Sequence, residues 1–197
     1  VTPFTEQGEI DFTALDGLVD FHLENGSDGL VIGGTTGESA TLDRREFAAL
    51  LPRVLDRVAG RIPILAGTGS ASTRVAIEQT RAAAELGVDG VLVVTPYYNK
   101  PTQAGLHAHF SAIADAVDIP VVLYNVPSRT AVDLLPQTVE RLCTHAGIVA
   151  IKEAVRDTNR IDELCQRCGP EFTILSGDDD SCLDSMRHGA RGVVSVV

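Results

Sequence analysis

Positive charge is scarce in this sequence beside negative charge. Sixteen Lys and Arg stand against 27 Asp and Glu in 197 residues, a formal charge of −11, which is the opposite of what nucleic-acid or anionic-membrane binding needs. Long apolar runs are missing too, since Asp, Glu, Arg or Gly interrupts every hydrophobic stretch before the ~18 to 20 residues of a membrane span. The expectation is a soluble chain with neither nucleic acid nor membrane as partner. The opening Val1-Thr2-Pro3-Phe4 has no Met and no basic-then-apolar signal region, so the start is expected to lie within a longer sequence and the location to be cytoplasmic. Cysteine is sparse: Cys143, Cys165, Cys168 and Cys182 all fall in the carboxy-terminal third, a pattern that suits reduced thiols rather than a disulfide framework. Cys165 and Cys168 have CxxC spacing, but no second CxxC or His pair follows at zinc-finger distance, which favours packing over metal or redox work. His107 and His109 lie two apart and point to different helix faces, and Asp178, Asp179 and Asp180 stand where a helix begins, a place for caps rather than Mg²⁺. No metal and no cofactor is expected.

What is present is a repeat. Hydrophobic residues make up 44% of the chain, enough for the core of one domain over residues 1–197. Runs rich in Val, Ile and Leu recur at 29–32, 63–66, 90–94, 120–124, 148–152, 173–176 and 192–196. None alternates apolar with polar, so each reads as a strand covered on both faces, as in a parallel sheet. Between them, 12–24, 43–58, 72–86, 103–116, 135–143, 158–168 and 180–188 carry apolar residues at helical spacing. Gly26, Gly60, Gly87, Gly147, Gly169 and Gly189 fall at or just past the helix ends, where a left-handed cap suits glycine. With Val1 to Phe4 as the tail of a first strand, this alternation predicts a (β/α)8 TIM barrel. It is expected to be truncated at both ends. An open doubly wound sheet is the alternative, although no strand is followed by GxGxxG.

In such barrels the chemistry stands where strands end. The strand ends deliver Gly33-Gly34-Thr35-Thr36-Gly37-Glu38-Ser39, Thr95-Pro96-Tyr97-Tyr98-Asn99, Tyr124-Asn125-Val126-Pro127-Ser128-Arg129, Lys152-Glu153 and Ser176-Gly177-Asp178-Asp179-Asp180. Lysine is used only twice, at Lys100 and Lys152, against fourteen arginines. Lys152 closes an apolar strand, where desolvation lowers an amine pKa and frees it to attack a carbonyl. The plainer reading is a lysine whose stem packs on the barrel and whose head pairs with Glu153 or the Asp178 cluster. The 33–39 loop suits a small carboxylate, or is a Gly-rich turn with Thr41 as helix cap. It lacks the Gly-Lys-Ser/Thr of a nucleotide P-loop. Tyr124 neighbours Lys152 and could pass a proton through Thr35 or Tyr98, or simply pack with its hydroxyl exposed. Arg129 could hold a carboxylate through its fork, or form a surface ion pair. The Tyr97-Tyr98 pair also suits a subunit contact.

Five ordered motifs, Gly34 to Ser39, Pro96-Tyr97-Tyr98-Asn99-Lys100-Pro101, Tyr124 to Thr130, Ile151-Lys152-Glu153-Ala154 and Ser176 to Asp179, resemble the dihydrodipicolinate synthases, of the pyruvate-dependent class I aldolase superfamily. The resemblance runs over essentially the whole chain. It implies that Lys152 forms a Schiff base with pyruvate and that the enamine condenses with L-aspartate 4-semialdehyde to give 4-hydroxy-tetrahydrodipicolinate, on the way to diaminopimelate and lysine. It implies Tyr124 as acid/base with Thr35 and Tyr98 completing a proton relay, Tyr98 reaching into a neighbouring subunit of a homotetramer built as a dimer of dimers. Thr36, Arg129, Gly177 and Val194 would bind substrate, Arg129 taking the semialdehyde carboxylate. The Pro127-Ser128-Arg129 turn favours the synthase over the sialic-acid and keto-sugar-acid lyases, which remain the runner-up; an inactive fragment is the third possibility. Family members continue into a closing helix and a carboxy-terminal helical domain that this chain is expected to lack. Lysine-inhibited members carry polar and histidine residues where this chain has Arg44, Phe47, Ala71 and Val75, which predicts weak or absent lysine feedback.

Overall fold

The structure, a computed structural model, describes residues 1–196. Its elements run α1 (Phe12–Glu24), β1 (Leu30–Ile32), α2 (Arg44–Val58), β2 (Ile64–Gly67), α3 (Thr73–Glu85), β3 (Gly90–Val94), α4 (Gln103–Ala114), β4 (Val121–Asn125), α5 (Pro127–Thr130), α6 (Pro136–Leu142), β5 (Ile148–Glu153), α7 (Asn159–Cys168), β6 (Thr173–Ser176), α8 (Cys182–Arg187) and β7 (Gly192–Val193). The seven strands form one sheet in the order β1-β2-β3-β4-β5-β6-β7, with every pair parallel. A doubly wound sheet would reverse its strand order at a switch point. Order that never reverses is the winding of a barrel wall, because right-handed crossovers then lay every helix on one face.

The opening residues depart from expectation. Val1 to Phe4 add no strand to the sheet; Phe4 instead makes an isolated antiparallel bridge with Ile10. The chain is fastened by its side chains and turns, with Thr2 Oγ1 donating to the Gly37 carbonyl at 2.7 Å. Among the described residues the sheet therefore has seven strands where eight were expected, and β1 and β7 are its edges. The last strand stops at Val193, short of the expected Val196.

Helix starts follow the chemistry of orphaned amides. Asp11 accepts from the Thr13 and Ala14 amides. Asp43 and Glu46 form a reciprocal capping box on α2, so Asp43 and not Thr41 caps that helix; Thr41 Oγ1 donates to the Glu38 carbonyl within the loop. Ser72 and Thr102 cap α3 and α4. The last helix starts at Cys182, two residues later than Asp180. Gly147, expected as a left-handed cap, has no positive φ.

Strand alternation divides the core in two. Val91, Val93, Val121, Leu123 and Ile151 face the helices and join the larger cluster with Leu50, Phe110 and Leu164. Leu92, Val122, Tyr124 and Ala150 face the other way and form a smaller cluster with Val126. That second face, lined by only a few apolar groups, is where Lys152 points.

Candidate active site

Lys152 is the penultimate residue of β5 and is 7% exposed. Burial takes its amine down to about 8, Arg129 adds repulsion, and Asp179 works the other way. Its Nζ lies 4.4 Å from the ring centroid of Tyr124, because the parallel register sets Tyr124 directly opposite Lys152. The alternative pairing with Glu153 is not formed, since consecutive strand residues face opposite sides of a sheet. Asp178 is engaged elsewhere, accepting from Arg156 Nε at 3.0 Å and Ser181 Oγ at 2.8 Å. Among the described residues no carboxylate forms an ion pair with this amine.

Around it lies a cavity of about 620 Å³ whose lining includes Thr36, Tyr124, Arg129, Lys152, Gly177 and Val194. Gly177 packs directly on the amine's stem: a Cβ there would lie 2.8 Å from Lys152 Cε, so any larger residue would push the amine aside. Its amide donates to the Glu153 carbonyl at 2.8 Å, and the Val194 amide to the Ser176 carbonyl at 2.9 Å. Burial raises the Tyr124 phenol, and Thr35 and Arg129 oppose that rise. Arg129 sits on the short helix α5, started by Pro127 at its first position.

Of the eight residues expected from sequence, Lys152, Tyr124, Thr36, Arg129, Gly177 and Val194 thus line one cavity. Thr35 lines the neighbouring cavity of about 600 Å³, together with Arg129, Arg44 and Tyr97, and reaches the site through Tyr124. Tyr98 is not brought in by its own chain: it is 92% exposed, with φ at 73°. The sequence reading missed Arg156, which also lines the Lys152 cavity, and the partners of Glu153. Asn125 Nδ2 donates to both Glu153 oxygens at 3.0 Å, a contact between residues 28 apart that only the β4–β5 register could have revealed. Among the described residues no group of three or more His, Cys, Asp or Glu could hold a metal, and no helix is long and apolar enough to cross a membrane. The CxxC pair packs on the core, and burial pushes the Cys168 thiol up to about 12, far from a reactive thiolate.

An amine near 8 beside a phenol and a guanidinium can attack a ketone and hold an acid. The model of the dihydrodipicolinate synthetase family matches residues 1–197. The chain belongs to that family. It is 54% identical over 196 residues to the 4-hydroxy-tetrahydrodipicolinate synthase of Ectopseudomonas mendocina, covering 100% of this chain and 67% of that protein. Its backbone superposes with a TM-score of 0.98 on the dihydrodipicolinate synthase of Acinetobacter baumannii complexed with pyruvate, at 46% identity, covering 100% of this chain and 67% of that one. The Cyanidioschyzon merolae enzyme with lysine bound gives a TM-score of 0.97 at 44% identity, with the same coverage. Relatives named as synthases span the whole chain, so a sugar-acid lyase is not favoured.

Proposed function

We propose that this chain carries the pyruvate-condensing site of a 4-hydroxy-tetrahydrodipicolinate synthase, with Lys152 as Schiff-base lysine. The observation that carries the reading is a buried amine, taken down to about 8, facing Tyr124 in a cavity that also holds Arg129 and Thr36. Lys152 Nζ attacks C2 of pyruvate, and loss of water gives the imine. Removal of a methyl proton leaves an enamine, whose carbon attacks the aldehyde carbon of L-aspartate 4-semialdehyde as the aldehyde oxygen takes up a proton. The semialdehyde amine then displaces Lys152 from the imine carbon, closing the ring and releasing product. Tyr124 moves the protons, relayed through Thr35, whose hydrogen bond opposes the rise of the phenol's pKa on burial. Thr36 holds the pyruvate carboxylate, Arg129 takes that of the semialdehyde by a bidentate fork, and Gly177 and the Val194 backbone keep the pocket narrow.

Tyr98 completes the relay from a neighbouring subunit in a dimer of dimers; its exposure on the loop beside Tyr97 supports this. In this reading residues 1–197 form a single, incomplete (β/α)8 barrel domain, with seven strands among the described residues and residue 197 outside them. Free thiols at Cys143, Cys165, Cys168 and Cys182 suit a cytoplasmic location.

Intact mass after incubation with pyruvate and borohydride, with peptide mapping, tests the reading. One reduced pyruvyl adduct on Lys152, lost in Lys152→Ala, is expected. No adduct in a sample that unfolds cooperatively would leave an inert chain.

A further inference from the structure

On the helix side of the sheet, behind the amine, lies a buried acid that the reaction does not use. Glu153 is 1% exposed and follows Lys152 directly, so alternation aims it away from the cavity. Besides Asn125, the Val155 amide donates to its Oε1 at 2.9 Å. Asn125 Nδ2 also donates to Asp133 Oδ1 at 2.8 Å, and Arg160 Nη2 meets Asp133 Oδ2 at 2.6 Å. Burial drives the Glu153 carboxyl up to about 7; Asn125, the Val155 amide and Arg160 pull it down, and Asp133 pushes it up. Burying an ionisable carboxyl carries a desolvation cost that an apolar side chain would not, so the question is what it holds.

It holds the backbone on which the site stands. Asn125 is opposite Glu153 one step beyond the Tyr124–Lys152 pair, so the clamp sits on the reverse side of the catalytic pair. The Ala154 amide donates to the Asn125 carbonyl at 3.0 Å, and the Gly177 amide to the Glu153 carbonyl. Asn125 Oδ1 accepts from the Leu134 amide at 3.0 Å, which closes the 126–134 loop around α5 and Arg129. The two side chains therefore tie together the strands bearing Tyr124 and Lys152 and the loop bearing Arg129, while the backbone of the same two residues carries the link to Gly177.

We propose that Glu153, acting through Asn125, is a positioning residue of the pyruvate site: it touches no substrate, but fixes the β4–β5 end so that the Tyr124 hydroxyl and the Lys152 amine address the same bound pyruvate. This rests on the reading of Lys152 as the Schiff-base lysine.

The test compares the wild type, Glu153→Gln, Asn125→Ser and the double variant by thermal unfolding, borohydride trapping of pyruvate and steady-state kinetics. Both single variants are expected to unfold cooperatively and to trap pyruvate on Lys152. Their kcat falls about tenfold or more, as misplaced reacting groups demand, while KM for pyruvate stays within about twofold. The double variant loses no more than the worse single one, because the two act as a unit. Folded variants that keep wild-type kcat, or losses that simply add, overturn the inference. Should Glu153→Gln not fold, Asn125→Ser decides by the same kcat criterion. If the wild type traps no pyruvate, the reading of Lys152 fails and takes this inference with it; if the wild type traps pyruvate and both folded variants keep kcat, this inference alone fails.

Discussion

The ammonium of Lys152 is the form that burial penalises, and that penalty suits the residue to the nucleophile's role proposed for it. With the amine at about 8, the neutral fraction grows as pH rises. Trapping of pyruvate under borohydride is therefore expected to speed up about tenfold per pH unit below that point and to level off above it. A rate flat from pH 6 to 9 would mean another step governs adduct formation. Tyr124 is separable from this step. Tyr124→Phe keeps the ring beneath the amine but removes the hydroxyl, so the adduct on Lys152 should still form while turnover drops by about 10² to 10⁴, the usual weight of acid/base catalysis. Equal loss of adduct and turnover would place the phenol's work earlier. Lys152 and Tyr124 were legible as residues because each ends an apolar strand, and one register step of β4 on β5 makes them face each other. Glu153 was legible only as a neighbour in sequence: which face it takes, and that Asn125 meets it there, depends on pairing that no local pattern carries.

At the scale of elements, α3 and α4 are pinned by one buried imidazole. His109 Nδ1 lies 2.8 Å from Thr73 Oγ1, its Nε2 has no hydrogen-bond partner among the described residues, and burial takes it down to about 4. The unfolded chain, near 6.5, then binds the proton more readily, so this contribution to stability is present above about pH 6.5 and is lost as pH falls through about 4. Glu153 has the opposite sign, its contribution present below 4.5 and lost as pH rises through about 7. Thermal midpoints of wild type and His109→Gln should accordingly converge between pH 6.5 and 4; parallel curves would show that His109 does not titrate there. Most elements were readable because β-branched runs and helical spacing agree with the caps that bound them. The exceptions have local causes. α5 is a four-residue helix, too short to show a period, and Pro127 there reads equally as a turn. Val1 to Phe4 has the composition of a strand end but is drawn into a bridge with Ile10.

For the molecule as a whole, two surfaces matter. Tyr98, 92% exposed, can serve the proposed relay only if a partner receives it. Sedimentation should show an oligomer, and Tyr98→Phe should slow turnover while leaving the adduct on Lys152 intact; a fully active monomer would remove Tyr98 from the mechanism. The cavity beside Thr35 carries Arg44, Phe47 and Val75 in its lining, with Asp43, Glu78 and Gln79, and Arg44 already pairs with Glu78. Free lysine below millimolar concentration should leave the rate unchanged, and inhibition there would overturn that expectation.

The scarcity of lysine gives the protein an uncommon reagent profile. Lys100 and Lys152 carry its only side-chain amines, one on an exposed loop and one buried beside a phenol. Arginine supplies the other fourteen cations, and guanidinium stays protonated and inert to acylation at any working pH. Small reductive-alkylating reagents thus meet only these two side-chain amines beside the α-amine of Val1, so occupancy of the pocket can be read by peptide mapping as the presence or absence of one mass increment on the Lys152 peptide, without a chromophore, a coupling enzyme or a purified aldehyde.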